Sequence, residues 1–518
     1  MTSTIHPTRR RALQICAAGP VVAASAGLLA QPARTPLQIV GPWEIGGLAP
    51  ASSGYVFTRM QITETLMEAG DDGTPLPGLA VRWQVSPDGL AWHFTLRTTA
   101  RFHDGTPVTA AAVVRCLQAA RVAPALLSLA PIRSLEAEGA GVVAIRLASP
   151  HAGLPGLLAH SSTMVLAPVS YGPGGEVRAI VGSGPYRVVS LAAPQQVEAA
   201  VFDGYGGPKP AIERVRYLAA GRAETRALMA EGGQADLAYG LDPVSLVRLR
   251  KRGQVRVDAV TLPRTAILKV NAGLPALKDL RVRQALSLSI DRAGIARALL
   301  RDPELAATQL FPPTLKAWHD TALAPLRHDP AAAASLLAEA GWRRTAEGLR
   351  DASGQALRLS LRTFPDRPEL PVIASALQEQ WRQAGIAVQV GVGNSGDIPL
   401  GHRDGSLQLG LAARNYATVP DPTGTLMQDF GAAGGDWGAM GWRSDTLVEA
   451  LAELSRGTST PQRAAALRAQ VTAVLQAELP VIPIAWYRQQ VAVSSRLAGV
   501  SLDPLERSYR VASMRWSA

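Results

Sequence analysis

Residues 81–117 combine a β-hairpin pattern with the start of a helix. The segments VRWQV (81–85) and AWHFTL (91–96) alternate apolar and polar residues, and the turn Ser-Pro-Asp-Gly (86–89) lies between them. Pro, Asp and Gly between two alternating runs are typical of a hairpin. Thr109 then stands at the N-cap position before the helical run AAAVVRCLQAA. This part of the chain therefore contains both kinds of element.

The same mixture of elements continues through the second half of the chain. Asp329-Pro330 and Thr460-Pro461 each place a capping side chain before a proline and a long apolar helix pattern. The segment LPVIPIAWY (479–487) that follows the second of these helices has the pattern of a buried strand. No internal repeat and no low-complexity linker occurs after residue 36. The sequence therefore predicts an α/β fold.

The N-terminus has the layout of a secretory signal peptide. Arg9, Arg10 and Arg11 precede an uncharged, alanine-rich run that ends in small residues. The run is too weakly apolar for a membrane anchor, which needs about 20 strongly apolar residues. We expect a signal peptide over 1–33 and a periplasmic mature protein. Residues 8–14 resemble the twin-arginine motif, but its usual phenylalanine and lysine are absent, so Sec export stays open.

Composition fits a large globular protein and argues against nucleic-acid binding. The 518 residues are 47% hydrophobic and 18% charged, and the net charge of +11 falls to +8 without the three N-terminal arginines. These charges are scattered, whereas nucleic-acid binding normally shows a clustered basic footprint. After removal of the signal peptide Cys116 is the only cysteine, so no intramolecular disulfide can form.

Motifs for catalysis, cofactors and metal ions are weak or absent in the sequence. GVGNSG (391–396) fits a dinucleotide-binding glycine pattern, but the residues after it form no long apolar helix face. The histidines beyond residue 33 are scattered, which disfavours a metal held by protein side chains alone. We therefore predict no catalytic residues and no cofactor. An exported hydrolase is the much weaker alternative.

Seven segments, in order, resemble the bacterial extracellular solute-binding proteins that serve peptide and nickel ABC transporters. The first is LPGLAVRWQVSPDGLAWHFTLRTTARFHDGTPVTAAAVV, which matches a hallmark of the N-terminal part of that family. The others are GSGPYRV (182–188), FDGYGGPKPAIERVRY (202–217), EGGQADLAYG (231–240), DLRVRQALSLSIDRAGI (279–295), DPAAAASLLAEAGW (329–342) and VPDPTGTLMQDF (419–430). The resemblance as a whole covers about residues 36–510.

The resemblance implies a two-lobe periplasmic binding protein fold with a hinge and an extra subdomain in the N-terminal lobe. The expected parts are the N-terminal lobe (34–270, with the subdomain at about 76–175), the second lobe (271–490) and a return to the N-terminal lobe (491–518), with crossings near 269–271 and 491–497. Such a protein captures a small ligand by hinge closure and delivers it to a membrane permease. We expect a monomer. A receptor that presents its ligand to a sensor is the alternative.

The ligand class stays open between a short peptide and a metal chelate. Thr418 stands where peptide-binding members have an aspartate that pairs with the ligand's amino group, and a threonine supplies no counter-charge. Nickel-binding members use arginines and a histidine, but here one arginine position falls on HSST (160–163) and the loop GAAGGDWGAM (431–440) contains no histidine. Arg121 is a partial substitute for one of these arginines.

The resemblance also suggests which residues line the ligand cleft. Tyr416 follows the strand end in the position of the nickel members' aromatic residue, and a core aromatic is the alternative. Arg414 is alternatively a surface residue, and His160 is the weaker candidate because a lone histidine is usually structural. The predicted ligand-binding residues are Tyr55, Arg414, Asn415, Tyr416 and Trp437.

Overall fold

The computed structural model describes residues 36–122, 126–251, 253, 255–365, 367–431, 435–457 and 459–517. The predicted signal peptide, with its three arginines and Cys16, lies outside the described residues. Among the helices that the structure describes, none is both long and apolar enough to cross a membrane.

The strands and helices alternate along the described chain. The strands are β1 Leu37–Gly41, β2 Met67–Ala69, β3 Pro75–Pro77, β4 Ala80–Val85, β5 Ala91–Leu96, β6 Ile132–Glu138, β7 Val142–Leu147, β8 Tyr186–Ala192, β9 Gln196–Val201, β10 Arg214–Ala219, β11 Leu237–Ala238, β12 Val255–Val270, β13 Arg343–Thr345, β14 Gly348–Arg350, β15 Arg358–Thr363, β16 Ala387–Val392, β17 Leu409–Asn415, β18 Val481–Ser494, β19 Leu497–Ala498 and β20 Arg515–Trp516. The helices are α1 Pro50–Arg59, α2 Ala110–Val122, α3 Leu154–Leu158, α4 Ala223–Glu231, α5 Pro243–Leu249, α6 Pro275–Lys278, α7 Leu280–Leu288, α8 Arg292–Ala298, α9 Pro330–Glu339, α10 Glu369–Gln383, α11 Asp397–Arg403, α12 Thr423–Phe430, α13 Asp445–Arg456 and α14 Pro461–Glu478.

One sheet runs through the molecule in the order β16-β15-β17-β12-β18-β11-β1-β10-β9-β8. Its two long central strands, β12 and β18, are antiparallel, and their register shifts between Leu262 and Thr265. The C-terminal part of β12, from Arg264 to Val270, also pairs with β17. The C-terminal part of β18, at Ala492 and Val493, pairs with β11. The two central strands therefore connect two halves of the sheet.

Each half of the sheet has an apolar core of its own. The first core includes Leu37, Phe57 and Tyr217 and is completely buried at these positions. The second includes Leu361 and Trp381. We call the half with β1 and β8–β11 the first lobe and the half with β15–β17 the second lobe. The predicted α/β, two-lobe fold is confirmed.

The predicted hairpin and helix belong to a smaller sheet in the order β4-β5-β7-β6. Val85 of β4 pairs with Trp92 of β5 across the predicted turn. Alternate residues of β5 are buried, as the sequence pattern requires. The Thr109 hydroxyl accepts a hydrogen bond from the Ala112 N–H at 3.3 Å, which confirms the predicted cap of α2.

Candidate functional site

A cavity of about 390 Å³ lies where the two lobes meet. From the first lobe it is lined by α1, the residues that follow α1, and the C-terminal segment around Glu506. From the other side Arg264 of β12, Asn415 at the end of β17, and Thr418 face it. The cavity therefore contacts both lobes and one of the strands that connect them.

The cavity wall carries three ion pairs. Their closest nitrogen–oxygen distances are 2.9 Å for Arg97–Glu64, 2.5 Å for Arg264–Glu506 and 3.4 Å for Arg507–Glu68. Arg264 and Glu506 are both under 10% exposed, whereas about half of the Glu68 side chain is exposed. Burial within the cleft raises the pKa of Glu68 to about 7, and Arg507 opposes this shift. Of the three glutamates, Glu68 therefore forms the weakest ion pair.

Arg59 contributes a fourth guanidinium to the wall. Its guanidinium carbon lies 4.4 Å from the ring centroid of Trp43 and 5.3 Å from that of Tyr55. Its Nε donates to the backbone oxygen of Glu506 at 2.7 Å. No carboxylate among the described residues forms an ion pair with Arg59 within 4.0 Å. This charged side chain is therefore held by two aromatic rings, the Glu506 carbonyl and a side-chain hydrogen bond with Tyr509.

His160 joins this cavity to a smaller one of about 230 Å³, which Ala51 and Gln428 also line. The Nδ1 atom of His160 accepts a hydrogen bond from the Ser162 N–H at 3.2 Å. Because Nδ1 accepts, the neutral ring carries its proton on Nε2. Burial lowers the pKa of His160 to about 4, so this histidine is uncharged at neutral pH.

Two of the predicted ligand-binding residues line the main cavity. Tyr55 contributes from α1, and its hydroxyl donates to the backbone oxygen of Glu44 at 2.9 Å. Asn415 contributes from the end of β17, and its side-chain oxygen accepts from the Ala417 N–H at 2.9 Å. Thr418 also lines the cavity.

The structure does not bring the other three into the described cavities. Arg414 forms a bidentate ion pair with Asp429 at 2.6 and 2.7 Å. Tyr416 is fully buried, and its ring packs edge-on against Phe311. Side chains alternate in direction along a strand, so Asn415 faces the cavity while its two neighbours face the opposite side. Trp437 is partly buried against the second core.

A buried lysine anchors the loop that carries Trp437. Lys269 is 1% exposed, and its Nζ donates to the backbone oxygens of Gly435 and Asp436 at 3.0 Å each. The same nitrogen lies 2.6 Å from Nδ1 of His402. Burial lowers the pKa of Lys269 to about 7. The loop is therefore held to β12 by a group that titrates near neutral pH.

A second cavity of about 590 Å³ shares Arg264 and Glu506 with the first. Trp43, Phe364 and Tyr487 contribute aromatic surface to its wall. The ion pair of Arg264 and Glu506 therefore belongs to the walls of both cavities. Among the residues that the structure describes, no three His, Cys, Asp or Glu side chains come together as a metal site.

Sequence reasoning missed most of the charged wall of the cavity. Glu506 and Arg507 come from the C-terminal segment, far along the chain from Arg59 and Glu68. Only the fold brings these groups together, and no local spacing signals it. Arg97 stood inside a recognised hallmark segment, but nothing in that segment indicated that its side chain reaches the cleft.

Comparison with known proteins places the chain in a family. A profile of the bacterial extracellular solute-binding proteins, family 5 (middle), matches residues 74–437. The nickel-binding periplasmic protein of Escherichia coli K12 is 26% identical over 492 residues, which cover 91% of this chain and 93% of that protein. The probable di/tripeptide-binding protein 5 of Pseudomonas aeruginosa is 25% identical over 473 residues, with coverages of 84% and 86%.

A solved structure shows the same fold. NikA from Brucella suis, in complex with Fe(III)-EDTA, superposes with a TM-score of 0.84 at 24% identity and covers 93% of this chain and 100% of that one. The family profile and the nickel-binding relative confirm the predicted resemblance and the predicted role as the solute-binding component of an ABC importer, and they do not favour a sensor receptor. The chain belongs to the bacterial extracellular solute-binding proteins of family 5.

Proposed function

We propose that this protein binds a short peptide or a metal chelate in the cavity between its lobes and carries it through the periplasm, as a monomer, to a membrane permease. The observation that carries this proposal is the position of the cavity. Its wall combines α1 and the C-terminal segment of the first lobe with Asn415 and Thr418 beside the second. A ligand there contacts both lobes at once.

A ligand that contacts both lobes stabilises the closed arrangement more than the open one. With the proposed boundaries a direct hydrogen bond joins the two lobes, since the Ala152 N–H donates to the Ser455 oxygen at 2.8 Å. A dissociation constant of about 1 μM corresponds to about −8 kcal/mol, which suits a scavenging receptor. No chemistry on the ligand is needed.

We place the bending point of the hinge at the register shift between Leu262 and Thr265. Tyr487 and Trp486 of β18 lie opposite these two residues. A shift in pairing interrupts the hydrogen-bond ladder and bends the strand, so rotation is easiest there. This lies a few residues before the crossing at 269–271 that the resemblance suggests, and the lobe boundaries 34–270, 271–490 and 491–518 stay proposals.

Two names among the relatives support a ligand of either kind. One relative is named for nickel and the other for di- and tripeptides.

Export through a twin-arginine signal peptide is part of the proposal. Changing both Arg9 and Arg10 to Lys should retain the precursor in the cytoplasm, and continued export would identify the Sec route instead.

Native mass spectrometry with elemental analysis tests the binding function. Protein purified from the periplasm without refolding should carry one small component per chain. The variant Thr418→Trp, which fills the cavity, should lose this component, whereas Thr321→Trp at an exposed turn should keep it. A bound metal would identify a chelate, and a set of peptide masses would identify a peptide receptor. Retention of the component by the cavity variant would place the site elsewhere.

A further inference from the structure

The wall of the main cavity carries more arginines than glutamates, and this excess of positive charge bears on the charge of the ligand. Four arginines line the cavity against three glutamates, and each glutamate already forms an ion pair with one arginine. The arginine left over is Arg59. Asn415 and Thr418, on the side of the second lobe, carry no charge. The wall therefore has one positive group in excess.

The arginines also have hydrogen-bonding capacity to spare. One covered N–H nitrogen in each of the four has no hydrogen-bond partner: Nη1 of Arg59 and Nε of Arg97, Arg264 and Arg507. A covered donor without a partner carries a free-energy cost. Arg264 is only 7% exposed, so this cost falls on a side chain that is nine-tenths buried. An acceptor group entering the cavity would relieve it after a small rotation of a guanidinium.

We propose that the ligand is a carboxylate-bearing anion without a free ammonium group, and that Arg59 supplies its main counter-charge. This inference rests on the proposed function. Carboxylates match the fork of guanidinium donors, whereas the three glutamates that could pair with an ammonium group are each already paired with an arginine. Bringing an ammonium group without a free counter-charge into such a cleft is unfavourable. A blocked peptide and a metal–carboxylate chelate share the required chemistry.

Glu68 provides a variant that reports the sign of the ligand charge. Its side chain is about half exposed, so Glu68→Gln should fold normally. Removing a negative group from the wall strengthens binding of an anion and weakens binding of a cation. Glu136→Gln, at an exposed position on β6 outside the cavity, makes the same charge change and serves as the matched control.

The pH dependence follows from the groups that face Glu68. These are Arg507 and Asp503 of the C-terminal segment, and Glu64 and Thr65 just before β2. The pKa of Glu68 is raised to about 7, so its negative charge develops as the pH rises through 7. The wild type should then bind an anion less tightly at pH 8 than at pH 6, while Glu68→Gln should show a flatter profile.

The experiment is titration calorimetry of ligand-stripped protein with four probes: N-acetyl-Ala-Ala, Fe(III)-EDTA, Ala-Ala and Ala-Ala-amide. We expect one of the two anions to bind most tightly, and to bind Glu68→Gln at pH 8 at least about threefold more tightly than the wild type. Arg59→Gln should lose this binding, and the Glu136→Gln control should match the wild type. The peptide and chelate probes distinguish the two sources of the carboxylate.

Preference for Ala-Ala or its amide, weaker binding of the anions by Glu68→Gln, or no binding of either anion would overturn the inference. A different result would contradict the proposed function. In that case the natively purified wild type carries no small component, or the Thr418→Trp variant still carries it. A cationic component bound in the cavity would therefore overturn only the inference about charge.

Discussion

The Arg264 guanidinium lies 2.5 Å from the Glu506 carboxylate in a position where both side chains are under 10% exposed. Arg264 lies inside the register shift of β12, and Glu506 comes from the C-terminal segment. Burial alone would raise the pKa of Glu506, but Arg264, Arg59 and Arg367 together hold it below its usual range. The pair thus joins a connecting strand to the first lobe.

Glu506→Gln should destabilise the protein strongly, because it leaves the Arg264 charge buried and unpaired. The expected loss is about 3–5 kcal/mol in the free energy of unfolding, measured by urea denaturation. Glu379→Gln breaks an exposed pair with Arg382 and should leave the denaturation midpoint unchanged. Equal midpoints for the two variants would show that the ion pair of Arg264 and Glu506 contributes no net stability.

Lys269→Met should release the loop that carries Trp437, since the Gly435 and Asp436 oxygens lose their donor. We expect a loss of about 1–3 kcal/mol and faster amide hydrogen exchange near Trp437. Amide hydrogen exchange near Trp437 that is as slow in the variant as in the wild type would contradict this anchoring role.

The stability of the wild type should also depend on Lys269. Its pKa is lowered in the folded state from 10.5 to about 7, so between these values the unfolded chain binds more protons at this site. This site therefore makes stability rise with pH from 7 to 10.5. The difference in denaturation midpoint between wild type and Lys269→Met should grow over that range. A difference independent of pH would contradict the assigned shift.

Tyr416→Phe separates the predicted ligand role of this residue from a core role. The Tyr416 hydroxyl is buried without a hydrogen-bond partner, and its ring packs on Phe311. Removing the hydroxyl should leave stability unchanged or raise it by about 1 kcal/mol, with no change in ligand affinity. A tenfold loss of affinity in calorimetry would show instead that Tyr416 reaches the ligand.

Thr418→Asp should change the preferred ligand charge. It restores the carboxylate that peptide-binding members have at this position, so Ala-Ala should bind at least tenfold more tightly, which is about 1.4 kcal/mol. N-acetyl-Ala-Ala should bind less tightly because the wall loses its positive excess. Thr418→Asn, which lacks the charge, is the matched control and should leave both affinities close to those of the wild type.

The fold was largely predictable, because its signals are local and occur in order. The hairpin turn, the Thr109 cap and the Asp329-Pro330 helix start each depend on residues close together in sequence, and each is found in the structure. These same segments carried the family resemblance.

The site was less predictable, because its charged groups meet only in the folded chain. Glu506 and Arg507 reach the cavity from the C-terminal end, and no spacing rule connects them with Arg59. Strand periodicity also limits the predicted set of ligand-binding residues. Strand periodicity allows Asn415 or its neighbours Arg414 and Tyr416 to face the cleft, but not all three together.

Hinge closure is tested most directly by the distance between spin labels on the two lobes. Val169→Cys and Val392→Cys place labels at exposed positions, 64% and 55% exposed, in the first and second lobes respectively, and Cys116 is buried. Double electron–electron resonance would compare ligand-stripped protein with protein given back the material released from a natively purified sample. We predict a shorter, narrower distance distribution with that material. An identical distribution, although mass spectrometry shows binding, would contradict capture by closure.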